Sequence, residues 1–163
     1  RSYIFAVSII LMGVLVGFYI WNRNPAQIYM GDAGALFLGM LLASLGVRID
    51  PIAESKIVAL TIPLLFMAIP ILDTTTVVIS RLKNGRSPMQ GGRDHLSHRL
   101  ASIGNSPAKI LGVIASLSLY FQLIASITIF TSNVVSYSLL LITNISLVIS
   151  LIWFLRIRVD YEI

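Results

Sequence analysis

From Ile110 to Leu155 the chain runs for 46 residues without one charged side chain. A bilayer core about 30 Å thick needs ~20 apolar helical residues, so this run is long enough to cross twice. Thr131-Ser132-Asn133 supplies a polar turn near its middle. Shorter uncharged runs precede it at Ser2–Asn22, Ala33–Val47 and Ile57–Leu72. Charged residues make up 12% of the chain and mean hydropathy is +0.88, against a charged fraction of about 25% in a soluble domain. Backbone groups in lipid must be satisfied internally, which favours helices. The fold class is therefore all-α: a polytopic transmembrane helix bundle with about five membrane helices, forming a single membrane domain over residues 1–163.

The runs predict helices at about 3–21, 33–47, 57–80, 107–130 and 134–155. The second is short for a full crossing. Pro63 and Pro70 are expected to kink the third, since proline removes a donor and crowds the carbonyl four residues back. Gly13 and Gly17, and Ala35, Gly39 and Ala43, give small-residue spacings suited to close helix packing. With five spans, Arg23, Arg81, Lys83, Arg86, Arg93, Arg99, Lys109, Arg156 and Arg158 fall on one side. Only Arg1, Arg48 and Lys56 fall on the other, so the richer side is read as cytoplasmic. The loop at 81–106 is then cytoplasmic, as is the one at 22–32. Asp73 lies about two turns before Arg81, or ~12 Å along the helix. The net charge of +5 is explained by this asymmetry and gives no reason to invoke nucleic acid. No cysteine is present, which excludes a disulfide framework and a thiol nucleophile. The first apolar run has neither the basic start nor the cleavage site of a signal peptide. With Arg1 in place of methionine, the expectation is a piece of a longer protein.

Three places carry polar groups that a membrane bundle alone does not require. Asp32, in Met30-Gly-Asp-Ala-Gly34, is read either as a helix N-cap or as a Mg²⁺ ligand, with Gly31 and Gly34 admitting a diphosphate close to the backbone. Asp73 is an ionisable group within an apolar helix and so a candidate functional residue; its structural alternative is a partner for Arg81 or the nearby threonines. The third is Ser87-Pro-Met-Gln-Gly-Gly-Arg-Asp-His-Leu-Ser-His-Arg-Leu100, which holds both histidines. His95 and His98 lack a third metal ligand of suitable type. Arg93, His95, His98 and Arg99 instead suit phosphate, by bidentate guanidinium contacts and by imidazole hydrogen bonds or proton exchange. The plainer alternative is a basic loop on anionic lipid, at about 1 kcal/mol per charge.

Taken in order, Asn24-Pro-Ala…Met-Gly-Asp32…Phe-Leu-Gly39, Asp73-Thr74 and Arg93-x-His-x-x-His-Arg-Leu100 resemble the C-terminal half of the polyprenyl-phosphate N-acetylhexosamine-1-phosphate transferases, glycosyltransferase family 4. The resemblance covers nearly the whole chain. It implies transfer of N-acetylhexosamine-1-phosphate from a UDP-sugar to undecaprenyl phosphate with release of UMP, an early step of cell-envelope polysaccharide synthesis. It implies Mg²⁺, with Mn²⁺ as the alternative metal, held by Asp32. Asp32, His95 and His98 take catalytic roles by this resemblance; Asn24, Arg93, Arg99 and Asp73 bind substrate. The partners are a UDP-N-acetylhexosamine and a polyprenyl phosphate, in the bacterial inner membrane with the active site on the cytoplasmic side; pairing into a homodimer stays open.

Two departures qualify the match. Ser97 stands where the family commonly has a histidine, and Gly91-Gly92 stands where Pro-Asp is usual. The spacing still suits the N-acetylglucosamine type better than the muramoyl-pentapeptide type. The family's Asp-Asp motif is absent, so this chain alone is expected to be inactive. A transporter half built on Asp73 and a non-catalytic scaffold are the competing classes; neither requires Arg93-x-His-x-x-His-Arg.

Overall fold

A computed structural model of the chain describes residues 2–23, 25–52 and 55–159. Among these are seven helices and no strand: α1 (Ser2–Asn22), α2 (Gly31–Gly46), α3 (Lys56–Phe66), α4 (Ala68–Lys83), α5 (Leu96–Ser102), α6 (Pro107–Ile129) and α7 (Asn133–Arg156). Three of them, α1, α6 and α7, are long and apolar enough to cross a membrane. The pair α3 and α4 makes a fourth if taken as one broken span. At 16 residues, α2 reaches only about 24 Å. The chain divides into two compact units, Arg1–Arg48 and Ile49–Ile163.

In the first unit, none of the membrane-length window of α1 is buried. An added Cβ at Gly13, Gly17 or Gly39 would meet nothing within 4 Å. These three glycines therefore make no close helix contact among the described residues. The loop after α1 folds back on that helix: Gln27 N–H donates to Trp21 O at 2.9 Å, and Asn22 Nδ2 donates to Ile28 O at 2.8 Å.

In the second unit the helix expected over 57–80 is broken at Met67, with its halves bent by 77°. Pro70 explains the place. Its ring would collide with the Phe66 carbonyl in a continuous helix, whereas in the first turn of α4 its missing N–H has no partner to lose. The Met67 amide closes α3 by sharing the carbonyls of Pro63 and Leu64, at 3.3 and 3.1 Å. Two apolar clusters hold the unit together. Val58, Ile62, Leu65, Ala125 and Leu140 join α3, α6 and α7; Leu72, Leu96, Leu100, Phe154 and Ile157 join α4 and α5 to the end of α7. The buried hydroxyls Thr76, Thr128 and Thr143 each donate to the carbonyl four residues back, at 2.6–2.8 Å. That satisfies them without a partner helix.

The second cluster places the polar loop. Leu96 and Leu100 lie one turn apart on α5, and both are buried. The intervening Ser97 and His98 therefore stay exposed. Gly104, at φ +82°, ends this segment in a left-handed turn that suits glycine. Ser106 then caps α6 by accepting from Lys109 N–H, with Pro107 at the first helical position.

Candidate active site

The segment 84–95 is wrapped around one guanidinium. Arg81, buried in the last turn of α4, donates from Nε to Asp94 Oδ2 at 2.7 Å and from Nη2 to Asp94 Oδ1 at 2.6 Å. Its Nη1 donates to Pro88 O at 2.8 Å and also to Gln90 O. Asp94 has no exposed surface. The hydrogen bonds from Arg81 hold its carboxyl below the ordinary carboxylate range, although burial pushes the other way. Gly92 packs against this pair: a Cβ there would lie 3.0 Å from Asp94 Oδ1 and 3.3 Å from Arg81 Nη2. At Gly92 the departure thus has a steric reason in this chain; at Gly91, where an added Cβ would meet nothing within 4 Å, the structure gives none.

Asp73 turns out to be joined to the loop. Its Oδ1 accepts the Leu96 amide at 2.7 Å, and its Oδ2 lies 2.8 Å from His95 Nδ1. The first contact satisfies an orphan amide at the start of α5. The second fixes an imidazole that is otherwise about half exposed. Both carboxylate oxygens are engaged within the protein, and the contact with Nδ1 gives Asp73 a part in placing His95. The partner imagined for it, Arg81, pairs with Asp94 instead.

Residues 1–50 match the model of glycosyl transferase family 4. Over 146 residues, 87% of the chain, the sequence is 30% identical to a Bacillus subtilis protein described as a probable undecaprenyl-phosphate N-acetylglucosaminyl 1-phosphate transferase, across 40% of that protein. Residues 1–50 are thus of glycosyl transferase family 4 type. Over 110 residues, 61% of the chain, it is 36% identical to a decaprenyl-phosphate N-acetylglucosaminephosphotransferase of Mycolicibacterium smegmatis, across 27% of that protein. Over 126 residues, 75% of the chain, it is 30% identical to a phospho-N-acetylmuramoyl-pentapeptide-transferase of Carboxydothermus hydrogenoformans, across 35% of that protein. The chain thus spans two fifths or less of the length of these relatives. No solved structure matches.

Arg93, His95, Ser97 and His98 are each exposed, the first two just before α5 and the others in its first turn. Arg99 is not with them. It is 1% exposed, donating from Nε to Asp94 O at 2.8 Å and from Nη1 to Phe154 O and Ile157 O at 3.2 and 2.8 Å. These carbonyls belong to the C-terminal end of α7 and the residue after it, where unpaired acceptors and the helix dipole favour a cation. The phosphate contact expected of Arg99 therefore needs correction: its fork clamps α5 to α7. Asn24 lies outside the described residues. Asp32, in the first unit, is exposed in the opening turn of α2, with no side-chain cap hydrogen bond at that end. Gly31 before it sits at φ +65°. The N-cap alternative for Asp32 thus does not hold; the N-cap position is Met30.

Sequence reasoning missed the Arg81–Asp94 pair. A usable signal was present: Asp94 is the one acidic residue between positions 81 and 106.

Proposed function

We propose that the protein carrying this chain transfers N-acetylhexosamine-1-phosphate, N-acetylglucosamine in the first instance, from a UDP-sugar to a polyprenyl phosphate and releases UMP. The observation that carries the reading is the exposed group of Arg93, His95 and His98, held on a buried frame, in a chain whose relatives are described as sugar-phosphate transferases. Arginine and histidine together suit the charges of a diphosphate and of the phosphate that attacks it. The loop at 81–106 lies on the cytoplasmic side in this reading, because the basic residues gather there.

Asp32 is the proposed Mg²⁺ ligand. Among the described residues no group of three or more His, Asp or Glu side chains forms a metal site. An exposed single carboxylate fits a cation that takes one or two carboxylates and completes its octahedron with water and phosphate oxygens. Bound there, Mg²⁺ would neutralise diphosphate charge. Asp32 contributes the anchoring oxygen; Arg93 and His98 bind substrate phosphates. This chain by itself is proposed to be inactive, since it supplies one carboxylate where two charged reactants must be aligned.

The test is UMP release by the whole protein in membranes, with UDP-N-acetylglucosamine, undecaprenyl phosphate and Mg²⁺. Asp32→Asn is expected to lower metal-dependent release by about 10²-fold or more. Release unchanged in Asp32→Asn would remove Asp32 from the reaction, and no lipid-dependent release with any UDP-sugar would refute the proposed function.

A further inference from the structure

His95 is an exposed side chain of the loop that is held on several sides. Asp73 Oδ1 takes the Leu96 amide on one side of it. Arg81 takes the Asp94 carboxylate on the other, and Arg99 Nε takes the Asp94 carbonyl. The imidazole is thus fixed at both neighbouring backbone positions as well as at Nδ1. An ionised carboxylate has only acceptors, so the nitrogen 2.8 Å from Asp73 Oδ2 must be the one that donates. The proton of the neutral ring then sits on Nδ1, and Nε2 is left with a lone pair.

We propose that Asp73 is a positioning residue that selects this tautomer, so that His95 meets the phosphate monoester of the acceptor lipid through an unprotonated Nε2. This rests on the transferase reading and deepens it. In a singly protonated monoester, the P–OH hydrogen moves to Nε2 as a phosphate oxygen of the monoester bonds to the β-phosphorus of the sugar nucleotide. The bond from that phosphorus to the bridging oxygen breaks, and the proton passes to the phosphate of departing UMP. Asp73 stabilises the imidazolium in between. No metal is needed to account for the proton.

Asp73→Asn separates positioning from structural support. The Asn carbonyl still accepts the Leu96 amide, so the start of α5 keeps its cap. Its NH₂ group, now facing Nδ1, can only donate, which drives the ring proton to Nε2. His95 and His98 are the only histidines in the chain, so ¹⁵N-histidine labelling gives two imidazoles, and His98→Gln assigns them. At about pH 8.5, where an ordinary imidazole is neutral, the full 163-residue chain in detergent is expected to show His95 protonated at Nδ1. In Asp73→Asn it is expected at Nε2. In the whole protein, Asp73→Asn should lower kcat by about 10²–10⁴-fold and leave KM for the sugar nucleotide within about threefold.

An Nε2–H tautomer in the unaltered chain, or one unmoved by Asp73→Asn, would overturn the positioning role. A moved tautomer with unchanged kcat would overturn its use in the reaction. A whole protein that transfers nothing would refute the transferase reading and with it the proton step, while the tautomer result would still decide the Asp73 contact. Should Asp73→Asn misfold, His95→Gln gives the second arm: its amide can donate but supplies no basic nitrogen, so retention of full kcat would equally overturn the proposal.

Discussion

Asp94→Ala tests the frame beneath the histidines. The substitution deletes two charge-assisted hydrogen bonds, of 2.7 and 2.6 Å, from a residue with no exposed surface. Each such bond is worth roughly 1.5–3 kcal/mol. The larger effect is on Arg81, whose side chain is 8% exposed and would lose this carboxylate while keeping the carbonyls of Pro88 and Gln90. Breaking a buried pair by removing one partner costs about 3–5 kcal/mol, because a charge is left uncompensated. The loss should appear as local opening of the segment 84–95, since the clusters joining α3, α6 and α7 do not depend on Asp94. Hydrogen exchange is the direct assay. The amides of Arg86 and Arg99, bonded to Arg81 O and His95 O at 2.9 Å each, should exchange about 10²–10⁴-fold faster. Amides in the middle of α6 should not change. The sign with pH follows from the lowered pKa of Asp94. The pair's contribution is complete above the unfolded carboxylate value of about 4 and is lost as pH falls through the lower folded value. Acidification below about pH 4 should therefore open this segment in the unaltered chain and make no comparable difference in Asp94→Ala. Less than about tenfold faster exchange, or equal loosening of α6 and α7, would refute the view that this pair is the local anchor.

Gly92→Ala should cost about 1–3 kcal/mol by overpacking the same pair, seen as a smaller rise in exchange over residues 86–95 with α6 unaffected. Arg99→Gln should detach α5 from the end of α7, so thermal unfolding in detergent should fall by several degrees. Binding of UDP-sugar to the protein still folded should change little if Arg99 is a clamp, and should be abolished if Arg99 contacts phosphate.

The sequence by itself determined the solvent this chain is built for. Uncharged runs of membrane length leave little choice but helices, because lipid offers no partners to an open backbone. It also marked the neighbourhood of chemistry: cations and histidines placed at one loop of an apolar chain point to an anion whatever the fold. Pro70 even carried the break in the third helix, since the clash of its ring is local. What the sequence left undecided was the division of labour within the loop. Arg93 and Arg99 have the same chemistry and lie six residues apart, yet one is exposed and the other is 1% exposed against the end of α7. The difference depends on which face of α5 the apolar cluster captures, and Leu96 and Leu100 set that face only when Leu72, Phe154 and Ile157 are there to receive them. Asp73 and His95 are 22 positions apart, and Arg81 and Asp94 are 13. Such pairings have no local signature, because a carboxylate in a helix looks the same in sequence whether it awaits a ligand or holds a loop. Only the tertiary structure, by bringing α4 against the loop, assigned those carboxylates to internal partners and left the His95 side chain about half exposed.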